Sequence, residues 1–431
     1  MSKQTGLTSQ EALAASGGPG HGGSRSLLSR VHTFDSLRES SYRWLWLGML
    51  GSFAGMQMQM LARGWLVVDE LEGSALDLGI VTSSSGAPLL LLSLFGGVVS
   101  DRFPKRNLLV VTQTANGIIA LLVAVLIVTD LVQMWHMIVV GALSGTVFAF
   151  NMPGRQSLIP ELVSRDKLSN AVALNSAGMN LNRIIAPGVA GVLVAVMGLS
   201  GVYFLIVGCY AFAAFTMLMI PPTNPSTPTR SASILQDLKA GLRYARNDPR
   251  ISSLLLLALV PLLFAHPYQA LLPVFAKSVL GVGSDGLGFL MGAVGIGAVT
   301  GTLALASLSN FRSRGMLMVS LLVVFGLALV LFSRSGHMYL SLAALFLVGI
   351  GSIGYNALNH TLLLTTSSPE MRGRVTSIYM TSFGIMPLGV FPMTAAADVI
   401  GPPNALTIGG GALILVSLLM AALRPQLRAM R

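Results

Sequence analysis

Arg183 and Arg63 each stand inside a long apolar run, and His266 stands between two prolines in a third. A cation at the centre of a membrane helix costs about 2.5–3.5 kcal/mol even on the permissive insertion scale, and such residues are usually functional. Arg183 falls roughly 14 residues from either end of the run 169–196, or roughly 20 Å from either surface at ~1.5 Å per residue. That is too deep for its side chain to snorkel out. Its planar guanidinium suits bidentate bonds to carboxylate or catecholate-type oxygens. The apolar runs contain no mid-membrane carboxylate to answer it. The competing role is structural, a bond to carbonyls or to Asn175, Asn180 or Asn182. Arg63 lies roughly 10 Å inside the run 44–69, close enough to the end to snorkel or to face a cavity. Histidine titrates near neutral pH, so His266, in His266-Pro267-Tyr268-Gln269, is the candidate proton carrier; the competing role is a neutral histidine bonded across helices. Pro261 and Pro267 break its helix on both sides and free backbone groups there. Gln57, Asn180 and Tyr268 complete the expected cavity. Met56, Met58 and Met60 either pack against lipid or line an adaptable apolar cavity, with lipid preferred.

Catalytic chemistry finds no support. There is no Ser-His-Asp order with a motif around it, no glycine loop with Lys-Ser/Thr to cradle phosphate, and no His/Cys cluster. Cys209 is the single cysteine, which excludes an internal disulfide. No enzyme activity, cofactor, metal, ATPase partner or nucleic acid is expected, and a proton gradient is the expected energy source.

These residues must be positioned by a membrane scaffold. Of 431 residues, 53% are hydrophobic and 10% charged, against about 25% charged in soluble domains; the mean hydropathy is +0.74. A span needs about 20 apolar residues. Twelve runs qualify, at 44–69, 77–99, 107–129, 134–153, 169–196, 201–220, 252–276, 286–308, 316–333, 338–363, 374–398 and 403–423. Residues 1–42 read as a polar, disordered tail without a cleavable signal peptide. Residues 43–220 and 251–424 form two six-span halves, 221–250 a linker, and 425–431 a short tail. In the linker, Ile234, Leu235, Leu238 and Leu242 recur at helical spacing among charged residues, which predicts a helix on the membrane surface. Of the 27 Lys and Arg, Lys277 and Arg334 fall in loops opposite the chain ends, and Arg63 and Arg183 inside spans. The rest, Arg155 included, gather on the side of the chain ends. That asymmetry places both termini in the cytoplasm.

The two halves share a pattern. At one constant offset Gln57 pairs with His266, Gly79 with Gly288, Gly86 with Gly295, Asp101 with Asn310 and Lys105 with Arg314. Between the second and third spans lies Gly96-Gly97-Val98-Val99-Ser100-Asp101-Arg102-Phe103-Pro104-Lys105-Arg106. This Gly-x-x-x-Asp-Arg-x-x-Lys-Arg pattern resembles the loop at that place in the major facilitator superfamily, where the position of Pro104 is usually Gly. The stretch from Phe150 to Val163 with Ala171-Val172-Ala173-Leu174-Asn175, and Pro369-Glu370-Met371-Arg372-Gly373-Arg374-Val375, are similar to loops of its enterobactin-exporter and macrolide-efflux branch. Ala186-Pro187-Gly188-Val189-Ala190-Gly191 resembles the family's Gly-Pro-x-x-Gly-Gly antiporter signature, with two glycines replaced by alanine.

The resemblance implies an all-α membrane protein with twelve transmembrane helices in two halves. It also implies a multi-pass plasma-membrane exporter of an amphipathic siderophore- or drug-like molecule, driven by proton antiport and acting as a monomer in the bilayer. An importer of a small anionic metabolite and a transport-dead sensor or scaffold of the same fold are the alternatives. Gly97, Asp101, Arg102, Lys105 and Arg106 are expected to form a cytoplasmic gate with Arg372 and Arg374. In it the Asp101 carboxylate would face the positive N-terminal end of the eleventh span.

Overall fold

The computed structural model describes residues 35–92, 99, 103–222, 234–307 and 313–430. Among them there is no strand. Ten segments are long and apolar enough to cross a membrane. Nine are single spans: Ala75–Leu92 (α2), Lys105–Val128 (α3), Met134–Leu162 (α4), Pro249–Val279 (α7), Ser284–Leu305 (α8), Arg314–Ser333 (α9), Met338–Thr366 (α10), Arg372–Ile400 (α11) and Pro402–Leu423 (α12). The tenth, Leu168–Leu218, has 51 residues, far longer than a bilayer at ~1.5 Å per residue. It turns at Gly198, whose φ of 73° only glycine adopts without strain, into residues 168–197 (α5) and 199–218 (α6). Ser40–Asp69 (α1) has 30 residues, ample for a span in spite of Arg63. With these two the described residues accommodate the twelve expected spans.

Proline shapes the helices. In α7 the α-helix stops at Phe264, turns through residues 265–267 and resumes at Tyr268, so the chain is interrupted at Pro267 beside His266, whereas Pro261 lies inside the helix and does not break it. In α4, by contrast, Pro153 and Pro160 lie inside a continuous helix that runs to Leu162. Neighbouring helices re-satisfy the freed backbone groups in such places. The sequence ended this span at 153; the two further turns carry Arg155 into the bundle, where it is 7% exposed. Arg155 is therefore a helix-interior cation and not one of the loop charges.

Large apolar side chains lie on the outside, among them Val196, Leu303, Leu415 and Val399. A soluble surface does not tolerate apolar patches on that scale; lipid covers them.

The repeat register has a structural counterpart. Gly79 and Gly86 of α2 face Thr394 and Pro387 of α11, while Gly288 and Gly295 of α8 face Pro187 and Arg183–Ile184 of α5. Each glycine pair thus sits where one half approaches the other, and small residues are what permit helix backbones to close up in a membrane. Gly191, the last glycine of the antiporter-like stretch, does the same. A β-carbon there would strike the Ser284 carbonyl, and the Ser284 hydroxyl donates to the Gly191 carbonyl at 3.0 Å. Gly191→Leu is expected to lower transport at least tenfold while leaving the amount of membrane-inserted protein unchanged, because overpacking costs about 1–3 kcal/mol only when these helices are together. A vesicle transport assay normalised to protein level checks this; undiminished transport would mean that α5 and α8 need not close during the cycle.

The linker helix, Ile234–Asn247, forms where the spacing predicts. It rests on protein as well as any lipid: Gly241 abuts Ile378 of α11, and the Tyr244 hydroxyl accepts from the Ser368 amide at 3.2 Å.

Candidate functional site: two adjoining cationic cavities

Both described chain ends meet starts of odd-numbered spans. Ser36 donates to Asn170 in the first turn of α5 at 2.7 Å, and the Gly315 amide of α9 donates to the Met430 carbonyl at 3.3 Å. This is called the terminal face below. Lys105 is buried and paired with Glu161 of α4. Arg106 donates to the Leu218 carbonyl of α6 at 2.9 Å. Both described partners belong to the N-terminal half. Lys167 pairs with Glu39 at 2.6 Å, a hydrogen bond that holds its ammonium above the usual lysine range. Arg372 is exposed, and Arg374 lies against the linker helix at Gly241. Gly97, Asp101 and Arg102 lie outside the described residues, and with them the expected contact of Asp101 with α11.

On the opposite face the halves are joined. Asp398, near the end of α11, accepts from the Ala75 amide at 2.9 Å and the Leu76 amide at 3.2 Å, the first N–H groups of α2. Ser74 and Asp77 cap the same helix start reciprocally. Lys277 of α7 pairs with Asp69 of α1 at 3.0 Å and donates to the Val68 carbonyl at 3.0 Å.

Two cavities lie between these faces. The larger, about 590 Å³, is lined by Arg183 of α5, His266, Tyr268 and Gln269 of α7, His360 of α10 and Tyr379 of α11, among others. The smaller, about 260 Å³, lies within the N-terminal half and includes Arg63 of α1, Arg155 of α4, Gln113 of α3 and Tyr210 of α6. Gln57 and Met60 line both, so the two adjoin. Among the described residues no Asp or Glu lines either one. Among the described residues no hydrogen bond or ion pair engages the guanidinium of Arg63 or Arg183. Arg155 is anchored by Nη2, which donates to Ser52 Oγ at 3.0 Å and Asn151 Oδ1 at 3.1 Å, and its plane stacks over Phe53 at 4.4 Å. Arginine on an aromatic face is held without being neutralised.

The structure therefore brings Arg183, His266, Tyr268 and Gln57 into one cavity and Arg63 into its neighbour. Asn180 lines neither. Met56 and Met60 line the smaller cavity and Met58 is buried in the core, so the expected lipid packing of these methionines does not hold. Met56, Gln57 and Met60 share one face of α1 at i, i+1 and i+4 and turn to the cavity together, and Gln59 accepts from the Tyr210 hydroxyl at 3.2 Å. Sequence reasoning missed Arg155 and also His360, whose buried Nε2 has no partner among the described residues and whose ring lies 5.7 Å from that of Tyr379. Its position within the run 338–363 was the available signal.

The family model for transmembrane secretion effectors matches residues 31–430. The chain belongs to that family of major facilitator transporters. It is 26% identical to the staphyloferrin A transporter of Staphylococcus aureus, over 87% of this chain and 94% of that protein. It is 25% identical to the multidrug efflux pump Tap of Mycolicibacterium fortuitum, over 81% and 87%. Against the enterobactin exporter EntS of Shigella boydii the identity is 24%, over 89% and 90%. Among solved structures, the nucleoside transporter NupG superposes with a TM-score of 0.71 at 13% identity, over 88% of this chain and 98% of that one. The fold is thus that of the major facilitators, in a multi-pass membrane protein.

Proposed function

We propose that this protein exports an amphipathic, anionic small molecule of siderophore type across the plasma membrane, by alternating access and in exchange for protons, with both termini in the cytoplasm. One observation carries the reading: among the described residues, three arginines and no carboxylate line the two central cavities. A cationic drug would meet like charge there without compensation, whereas an anion supplies the missing counter-charge. The relatives named for staphyloferrin A and enterobactin support the siderophore class, and the efflux relatives support export. His266 is the proton carrier in this reading. The groups around it are Arg183 from α5, Tyr268 on its own span, Phe325 of α9 at 5.8 Å between rings, and His360 and Tyr379 across the cavity.

Everted vesicles loaded with protein test this. An acid-inside gradient is expected to accelerate accumulation of staphyloferrin A or enterobactin several-fold and to leave a permanently cationic dye unaffected. His266→Gln is expected to lose the stimulation by the gradient while keeping substrate exchange at equal pH. Accumulation of the cation in preference to both siderophores, or movement only in the opposite direction, would overturn the proposal.

A further inference from the structure

We infer that the smaller cavity is a second ligand subsite, separate from the Arg183 cavity, that takes a hydroxy-acid group: an anionic oxygen beside a hydroxyl. It rests on the reading above that the transported molecule is anionic. Arg63 and Arg155 supply the anion-binding side. Arg155 is nine-tenths buried and among the described residues spends only Nη2 on protein partners, so Nε and Nη1 keep donors for a ligand. Arg63 has no hydrogen bond among the described residues, with the Tyr203 and Tyr210 hydroxyls as its near electrostatic neighbours. The hydroxyl side is supplied by Gln113 and Ser144, which line the cavity and whose Oε1 and Oγ are buried without a partner among the described residues. A buried polar atom left unpaired is costly, and an amide oxygen can be satisfied only by a donor. A bare carboxylate has none. A carboxylate carrying a neighbouring hydroxyl satisfies both walls at once: the arginines bond its charge, and its O–H donates to Gln113. Because Gln57 and Met60 are shared, one molecule can place a hydroxy-acid group here and a further acidic group on Arg183.

The test uses the full-length protein in lipid nanodiscs with three probes: citrate, tricarballylate (the same three carboxylates without the hydroxyl) and trimethyl citrate. Binding is read by calorimetry. The parent is expected to bind citrate about tenfold tighter than tricarballylate, the usual worth of a hydrogen bond between buried groups, and the ester not measurably. Gln113→Leu should erase the difference between the two acids. Arg63→Gln and Arg155→Gln should each weaken both acids about tenfold or more, as loss of a charge-assisted bond does. Arg155 also ties α4 to Ser52 of α1, so its variant is scored only after size-exclusion chromatography matches the parent; Arg63, which has no such tie, carries the test if it does not. Equal binding of citrate and tricarballylate by the parent, or the same citrate affinity in Arg63→Gln as in the parent, would overturn the subsite. If those results appear while Arg183→Gln still weakens the acids, the anionic reading stands and only the second subsite falls. If the ester binds as well as the acids, both fall.

Discussion

Arg183→Gln is expected to reduce binding of an anionic substrate by about ten- to a hundredfold, the span that corresponds to about 1.5–3 kcal/mol for a hydrogen bond to a charged group. By its place near the middle of the run 169–196, Arg183 falls at the depth where a cation is most costly. Its guanidinium lines the larger cavity with no protein acceptor among the described residues, and its electrostatic neighbour there is the hydroxyl of Tyr268. The cost of desolvating it is therefore not recovered in the empty protein, and a bound carboxylate recovers it. That is the condition under which removing the cation changes ligand affinity more than stability. Arg183→Lys keeps the charge and loses the bidentate fork, so a smaller loss is expected. The α5 backbone at Arg183 is what Gly295 of α8 packs against, and neither substitution touches it. Both variants should therefore insert and fold. Titration of purified parent and variants with one acidic compound and its neutral ester separates the roles. Equal loss for acid and ester would make Arg183 a packing residue.

How much of this was legible in the sequence depends on which physical rule each residue obeys. The membrane-spanning helical scaffold and the repeat were readable because lipid enforces long apolar runs, and because the glycines that let the halves close must recur at equivalent positions. Thus Gly79, Gly86, Gly288 and Gly295 were paired from spacing alone and all four lie at contacts between halves. Arg183 and His266 were readable because charge and broken helices stand out in such runs. Arg155 was not. Proline is an end signal in soluble helices, and the local pattern around Pro153 and Pro160 cannot show that neighbouring helices will carry the backbone through. The facing of Met56 and Met60 was hidden for a different reason. Methionine suits lipid and cavity alike, so only the rotation of α1 decides. Asp398 looked like an end-of-span charge, and its partner amides are more than three hundred residues away in the chain.

That last contact carries the second large effect. The sequence predicts a latch in which Asp101, at the end of the second predicted span, faces the start of the eleventh on the side of the chain ends. The structure holds the same two helices together on the opposite face with the roles exchanged: the acid near the end of α11 receives the first amides of α2. A carboxylate at a helix N-terminus contributes about 0.3–1 kcal/mol when exposed and up to ~2 kcal/mol when partly buried. The Lys277–Asp69 pair reinforces the same face, but both side chains are more than a third exposed, so solvent screening leaves it a small share. In the proposed alternating-access cycle these bonds exist only while the face is closed, so losing them shifts the balance between closed and open states rather than the fold. Asp398 is exposed, so Asp398→Ala is expected to raise the population open to that face about two- to fivefold, following about 0.3–1 kcal/mol, and Asp398→Asn less, since its amide oxygen still accepts one N–H. A background with Cys209→Ser and one cysteine introduced at Gln57, which lines both cavities, reads the change. A membrane-impermeant maleimide added to the opposite face should label the Asp398→Ala protein faster than its parent by that factor, and Lys277→Ala should add a smaller increment. Transport should slow, because the step that closes this face has lost its driving contact. Labelling at the parent rate in Asp398→Ala would show that the close glycine packing of α2 on α11 and α5 on α8 holds the face shut without the carboxylate.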